Sequence, residues 1–246
     1  MNNNSVLIIG SAPNSINAKN WPKEKFDTIV VINNAWQIRS DWDYLIYPDD
    51  FPEERRPTSK RFNQKFITSD EYVPIQNQYG GFVYAGGTMA FTSAYWALGQ
   101  LKPKLIAFIG CDMIYESGTN THFYGIGAAD PLRDDVSLQS LEAKSNRFYY
   151  HALMQGCLCF NLTDQPKSRL TYPKINIDDI EAISGQYHLK NLEDSKKNIK
   201  IDRVSELLKK ETELGYFFKS GKYWEHLSQI SKESLYELDQ GWLDLN

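Results

Sequence analysis

The sequence predicts an α/β fold: a parallel sheet with flanking helices, followed by a C-terminal helical appendage. Three observations predict it. Short β-rich runs alternate with helical patterns up to about Asn161, the order that builds strand–helix–strand units. The first of those runs is continuously apolar, as in strands buried on both faces. From about Asn176 the chain turns to Lys, Glu, Asn and Ser, with apolar residues at helical spacing. The 246 residues suit one large α/β domain, 1–175, with an appendage, 176–246, since domains cluster near ~100–200 residues.

Val6 to Ile9 reads as the first strand, ended by the turn Gly10-Ser-Ala-Pro-Asn-Ser15. Thr28 to Ile32 is the second strand and Tyr44 to Tyr47 the third, closed by Pro48-Asp49-Asp50. The charged, proline-punctuated stretch from Phe51 to Lys60 reads as an exposed loop or short helix. Thr88 to Leu98 carries small and aromatic residues at helical spacing, opened by Gly86-Gly87 and stopped by Gly99, which predicts a buried helix. Leu105 to Ile109 follows as a strand, then a polar loop from Glu116 to Asp135. Ser137 is the expected cap of a helix from about Leu138 to Gln155, with Gly156 ending it and Cys157 to Asn161 forming another strand. In the appendage, Tyr216, Phe217, Phe218, Tyr223, Trp224 and Trp242 supply aromatic anchors, and Lys196-Lys197 and Lys209-Lys210 read as solvated helix faces.

Composition excludes several classes of function. With 41% hydrophobic and 13% aromatic residues the chain can build a core. The balance of 27 Lys+Arg against 31 Asp+Glu, net charge -4, argues against nucleic acid or an anionic membrane as partner and leaves room for a local anion pocket. Cys111, Cys157 and Cys159 are odd in number and sit in apolar runs, so free thiols in a reducing compartment are expected. Cys157-x-Cys159 lacks a second ligand pair, so no metal is expected there. The first apolar run is far shorter than the ~20 residues that span a bilayer, so the expectation is a cytoplasmic chain without a transmembrane segment.

Ligands of open parallel sheets bind beyond the carboxyl ends of the strands, where tight turns meet helix N-termini. Two segments meet that description: Gly10 to Ser15, and Gly86-Gly87-Thr88 at the start of the buried helix. Neither is GxGxxG or GxxxxGK[ST], so nicotinamide chemistry and P-loop hydrolysis lose their main support. Asp49-Asp50 could hold Mg²⁺ with substrate phosphates or form a turn beside Pro48. Arg133 and Arg169 could grip an anion or pair on the surface.

The segments VLIIGSAPNS (6–15), Asn33-Asn34, GGTMAFTSAYWALG (86–99), LIAFIGCD (105–112) and THFYG (121–125) resemble, in order, the motifs of the bacterial sialyltransferases of glycosyltransferase family 42. The chain is similar also to Rossmann-like proteins with a G-x-G-P-type first loop, among them motility-associated glycosyltransferases and pterin diphosphokinases. The resemblance implies a Rossmann-like fold over roughly residues 6–170. It implies that Gly10, Ser11, Ala12, Pro13 and Asn33 bind the nucleotide of a CMP-sugar donor, with Gly86, Gly87, Thr88 and Asp112 completing the cofactor-binding set. Tyr115 and Tyr124 are the nearest matches to tyrosines that neutralise the departing phosphate, and such phenols need no metal. The family pattern HYxGH carries its general-base histidine where this chain has Ile126, which cannot take a proton. The base would then be His122 or Asp130, and an imidazole is the better proton acceptor near neutral pH. His151, His188 and His226 read as structural.

Three functions follow as expectations. The first is a metal-independent, inverting glycosyltransferase with no cofactor beyond a CMP-sugar donor. The second is a Mg²⁺-dependent pyrophosphoryl transferase acting at Asp49 and Asp50. The third is a non-catalytic nucleotide-binding or assembly protein, which Ile126 would suit. In each case the partner is a nucleotide or nucleotide-sugar, with self-association into a homo-oligomer left open.

Overall fold

A computed structural model describes residues 4–116, 120–127, 133–185, 187–197 and 199–245. Strands β1 (Ser5–Ile9), β2 (Thr28–Ile32), β3 (Tyr44–Ile46), β4 (Lys65–Ile67), β5 (Leu105–Ile109) and β6 (Leu158–Asn161) form one sheet of order β4-β3-β2-β1-β5-β6. Every neighbouring pair is parallel. The chain runs outward from β1 to β4, then returns to place β5 on the free side of β1. That reversal makes the β1/β5 boundary the switch point of the sheet.

Side chains alternate between two cores because a strand has a period of two. Val6, Ile8, Val30, Ile32 and Ile46 face one layer; Leu7, Ile9, Ile29, Val31 and Leu45 face the other. The first layer is built by α1 (Ser69–Asn77), α3 (Met89–Trp96) and α4 (Leu141–Met154), with the single-turn α2 (Phe82–Ala85) between α1 and α3. The opposite face meets the short helices of residues 13–37 and α5 (Ile180–Ser184), whose Ile180 is buried there.

Two local expectations are corrected, and one helix is added. The helix that opens after Thr88 does not stop at Gly99 but widens into a π-turn over Ala97–Leu101 and ends at Lys102, where φ is 49°. Gly99 serves close packing instead: a Cβ there would lie 2.6 Å from Ile75 Cγ2. Helix α4 is capped by Ser140, whose hydroxyl accepts from the Ala143 N–H, and not by Ser137. Ser137 is held one turn earlier because Asp135 accepts both its N–H and its hydroxyl. Helix α1 goes beyond the elements expected from the sequence, although Thr68-x-x-Glu71 forms a capping arrangement in which the Glu71 carboxylate accepts the Thr68 N–H at 2.8 Å.

Residues 176–245 are helical as expected, with α6 (His188–Lys197), α7 (Ile201–Leu214) and α8 (Lys232–Leu243). Their apolar residues share a third core with the α/β portion: Val204, Leu207, Leu238 and Trp242 pack with Tyr84, Ala143 and Tyr150. Two buried ion pairs span the same boundary. Lys144 Nζ meets Asp239 Oδ1 at 2.7 Å, and Arg147 forms a two-point bridge to Glu211 at 2.8 and 2.7 Å. Arg147 also donates to the Tyr95 hydroxyl and the Tyr79 carbonyl, so each of its three guanidinium nitrogens is engaged. Lys197 and Lys209 make exposed pairs within their own helices. Among the described residues no helix is long and apolar enough to cross a membrane.

Removing one partner of a buried pair leaves an uncompensated charge, at a cost of ~3–5 kcal/mol. Glu211→Ala is therefore expected to lose that much stability in urea denaturation followed by tryptophan fluorescence. A loss near the ~0–1 kcal/mol of an exposed pair would show that Arg147 does not anchor α7 to α4.

Candidate functional site

At the switch point β1 and β5 end in Gly10 and Gly110. The Gly10 N–H donates to the Ile109 carbonyl at 2.8 Å, and the Ala12 N–H to the Gly110 carbonyl at 3.0 Å. A Cβ on Gly10 would overlap the Gly110 carbonyl; Gly110 has φ 70° and a Cβ there would overlap Ser15. The two turns thus pack backbone against backbone, which only glycine permits. The chain then enters a 3₁₀ helix, Pro13–Asn20, with proline at its start. After β2, Asn33 adopts a left-handed conformation, φ 49°, in which asparagine is one of the few tolerated side chains.

These turns border a cleft of about 240 Å³. Of the expected site residues, Gly10, Ser11, Ala12, Asn33, Thr88, Tyr115, His122 and Tyr124 all line it. Thr88 is also the cap of α3, accepting from the Phe91 N–H at 3.2 Å. The aromatic wall is fixed by backbone bonds: the Phe123 N–H donates to the Ser11 carbonyl at 3.0 Å, and His122 and Gly125 exchange N–H···O bonds. His122 is 7% exposed, stacked on Tyr124 at 4.9 Å, with Nδ1 2.8 Å from the Thr121 hydroxyl. The Asn33 Oδ1 is shielded from water and has no hydrogen-bond partner among the described residues.

Pro13, Gly86 and Asp112 do not line this cleft. Asp112 is 3% exposed and turns behind the first loop, where its carboxylate accepts from Asn14 Nδ2 and the Thr163 hydroxyl, each at 2.9 Å. There it holds the loop against the segment after β6. Gly87 borders a neighbouring cavity, which Asp49 and Asp50 also line, Asp50 reaching the first cleft as well. Ile126 is 83% exposed and outside the cleft. Asp130 lies outside the described residues. Arg169 is engaged by Glu142 at 2.8 Å. His151 is half-buried, and desolvation of its ring holds its pKa well below the usual value; His188 bonds the Lys104 carbonyl, and His226 stacks on Phe218.

Phe51 and Arg55, in the charged stretch after β3 expected only as an exposed loop or short helix, also reach the cleft. Arg55 is the one Lys or Arg among its described lining residues. Cys111 lines the cleft too, but burial, then the nearby Asp112, pushes its thiol up, so it is no thiolate nucleophile. Among the described residues no three His, Cys, Asp or Glu gather as a metal site.

A polar knot ties the C-terminal segment to the glycine turn of α3. The Tyr223 hydroxyl donates to Asp135 at 2.6 Å, Arg133 donates to Asp135 at 3.0 Å and to the Gly87 carbonyl at 3.2 Å, and the Gly87 N–H donates to Ser137. A Cβ on Gly87 would lie 2.7 Å from the Tyr223 oxygen.

Fold and cleft together define an α/β protein of Rossmann-like architecture with a cleft at the sheet's switch point. The chain matches no protein-family model, no curated protein and no solved structure.

Burial alone would raise the Asp135 carboxyl, but hydrogen bonds from Tyr223 and Ser137 and the charge of Arg133 outweigh it and hold the pKa below its ordinary value. A depressed native pKa stabilises the fold above the unfolded value, ~3.9, and that stability is lost as pH falls through the native one. Wild type is therefore expected to exceed Asp135→Asn in stability at neutral pH, with the gap closing in acid. A gap independent of pH in denaturation curves would refute the ionised knot.

Proposed function

We propose that the protein binds a nucleotide-activated sugar in the switch-point cleft and transfers the sugar to a hydroxyl acceptor with inversion. The observation that carries this reading is the convergence on one cavity of the loop after β1, Asn33 after β2, the capped start of α3 and the wall of Tyr115, His122 and Tyr124. A nucleobase amino group would satisfy the orphaned Asn33 oxygen, since a buried acceptor without a donor costs free energy. The start of α3 and Arg55 offer partial and full positive charge to the phosphate. The resemblance to family 42 motifs makes a CMP-sugar the first donor to try.

In this reading the acceptor hydroxyl attacks the anomeric carbon, His122 takes its proton, and the bond to the phosphate oxygen breaks on the opposite face. Tyr115 and Tyr124 donate hydrogen bonds to the leaving phosphate as its charge grows. His122 replaces the base that the family pattern would put at 126, because Ile126 faces solvent.

Calorimetry with CMP and CMP-sugars checks the binding half. Asn33→Ala is expected to weaken CMP by the ~1–3 kcal/mol of a lost buried hydrogen bond. His122→Ala should keep CMP binding and lower transfer or donor hydrolysis by ~10²–10⁴-fold. Absence of any nucleotide binding would end the reading, and retained turnover in His122→Ala would remove His122 as base.

A further inference from the structure

Beside the nucleotide cleft lies a second cavity of about 400 Å³ that shares Pro48, Asp50 and Met89 with it. Its far wall is the segment 220–224 of the C-terminal region. That segment is held at both ends: the Lys219 carbonyl accepts from Asn77 Nδ2 of α1 at 2.8 Å, and Tyr223 is fixed in the Asp135 knot. Next to it Trp224 is 57% exposed, its ring against Tyr223 at 5.5 Å. An indole left in water on a pinned backbone forgoes burial that its large apolar area would otherwise gain. The rest of the lining mixes apolar Val73, Phe82 and Met89 with Asp49, Asp50, Ser69, Thr92 and Lys222, while the Arg133 guanidinium is paired with Asp135. The cavity, with two carboxylates against the Lys222 ammonium, does not favour an anion. It offers acceptors and donors together, which suits a ligand whose hydroxyls do both and whose ring carries an apolar C–H face.

We infer that this second cavity binds a neutral saccharide, with Trp224 as its stacking platform and Asp49 and Asp50 accepting its hydroxyl protons. Its role as the acceptor compartment rests on the nucleotide-sugar reading of the adjoining cleft, whereas saccharide binding itself does not. The C-terminal segment supplies the wall that the α/β portion lacks on this side.

Saturation-transfer NMR with methyl β-galactoside, methyl β-glucoside, methyl α-mannoside and methyl N-acetyl-β-glucosaminide tests it, with CMP in the same samples. At least one glycoside is expected to receive saturation through its ring C–H protons. Trp224→Ala should weaken it about tenfold and Trp224→Tyr should restore most of the loss. Because Trp224 is exposed, an unchanged Tm verifies that the variants fold. Binding of CMP with no glycoside signal, or with a signal indifferent to Trp224→Ala, overturns the saccharide site and leaves the nucleotide reading intact. Trp224-dependent glycoside binding without CMP keeps the site and removes the nucleotide-sugar reading.

Discussion

The contact on which the cleft depends is the backbone-to-backbone packing of Gly10 on Gly110. β1 and β5 are neighbours for five residues, and their turns can leave the sheet side by side only because neither carries a Cβ at the point of contact. That approach puts the Gly110 carbonyl under the Ala12 N–H and sets the course of the first loop. The Ser11 carbonyl then receives the Phe123 N–H, which brings His122 and Tyr124 into the wall. Behind the loop, Asp112 grips Asn14. A single steric condition at the switch point is in this way propagated to aromatic residues far along the chain.

Charge is distributed unevenly across the molecule. Lys144, Arg147, Asp239 and Glu211 are buried, where desolvation offsets much of the attraction and a pair adds more to the choice of partner than to net stability. Burial accordingly raises the Asp239 carboxyl even beside Lys144, which lowers it. These pairs place α7 and α8 on α4, and the Tyr223 knot extends the same docking to Gly87. The cleft itself carries few charged groups, with Arg55 and Asp50 among them, and the polar groups it presents are largely backbone groups, amides and phenols. That agrees with a net charge of only -4, since such a site adds little to the total.

The strands are legible in the sequence because fully buried parallel strands read as continuous apolar runs, and β1, β2 and β5 are of that kind. Caps are less legible: Ser137 and Ser140 look equivalent in sequence, and the choice between them is made by Asp135, which engages Ser137. Asp112 reads as a ligand group since a carboxylate at a strand end looks alike whether it turns toward the cleft or away; its partners Asn14 and Thr163 are distant in sequence. Most of the cleft is legible through its glycines, Asn33 and aromatic loop. Arg55 and Trp224 are not, because nothing local distinguishes a charged loop or an aromatic anchor that borders a cavity from one that does not.

The absence of a histidine at 126 is best weighed by loop geometry. His122 and Gly125 are paired across a tight turn, so the chain reverses over Phe123 and Tyr124 and carries residue 126 outward. With the side chain at 126 in solvent, the identity of that residue bears little on what happens inside the cleft. His122 is on the inner side of the same turn, between Tyr124 and Tyr115 with Thr121 at Nδ1. A buried imidazole with one nitrogen engaged by a hydroxyl has its ring orientation set, which is what positioning for proton transfer requires. Ile126 is therefore weak evidence for an inert protein, and the question of catalysis passes to the residue the turn directs inward.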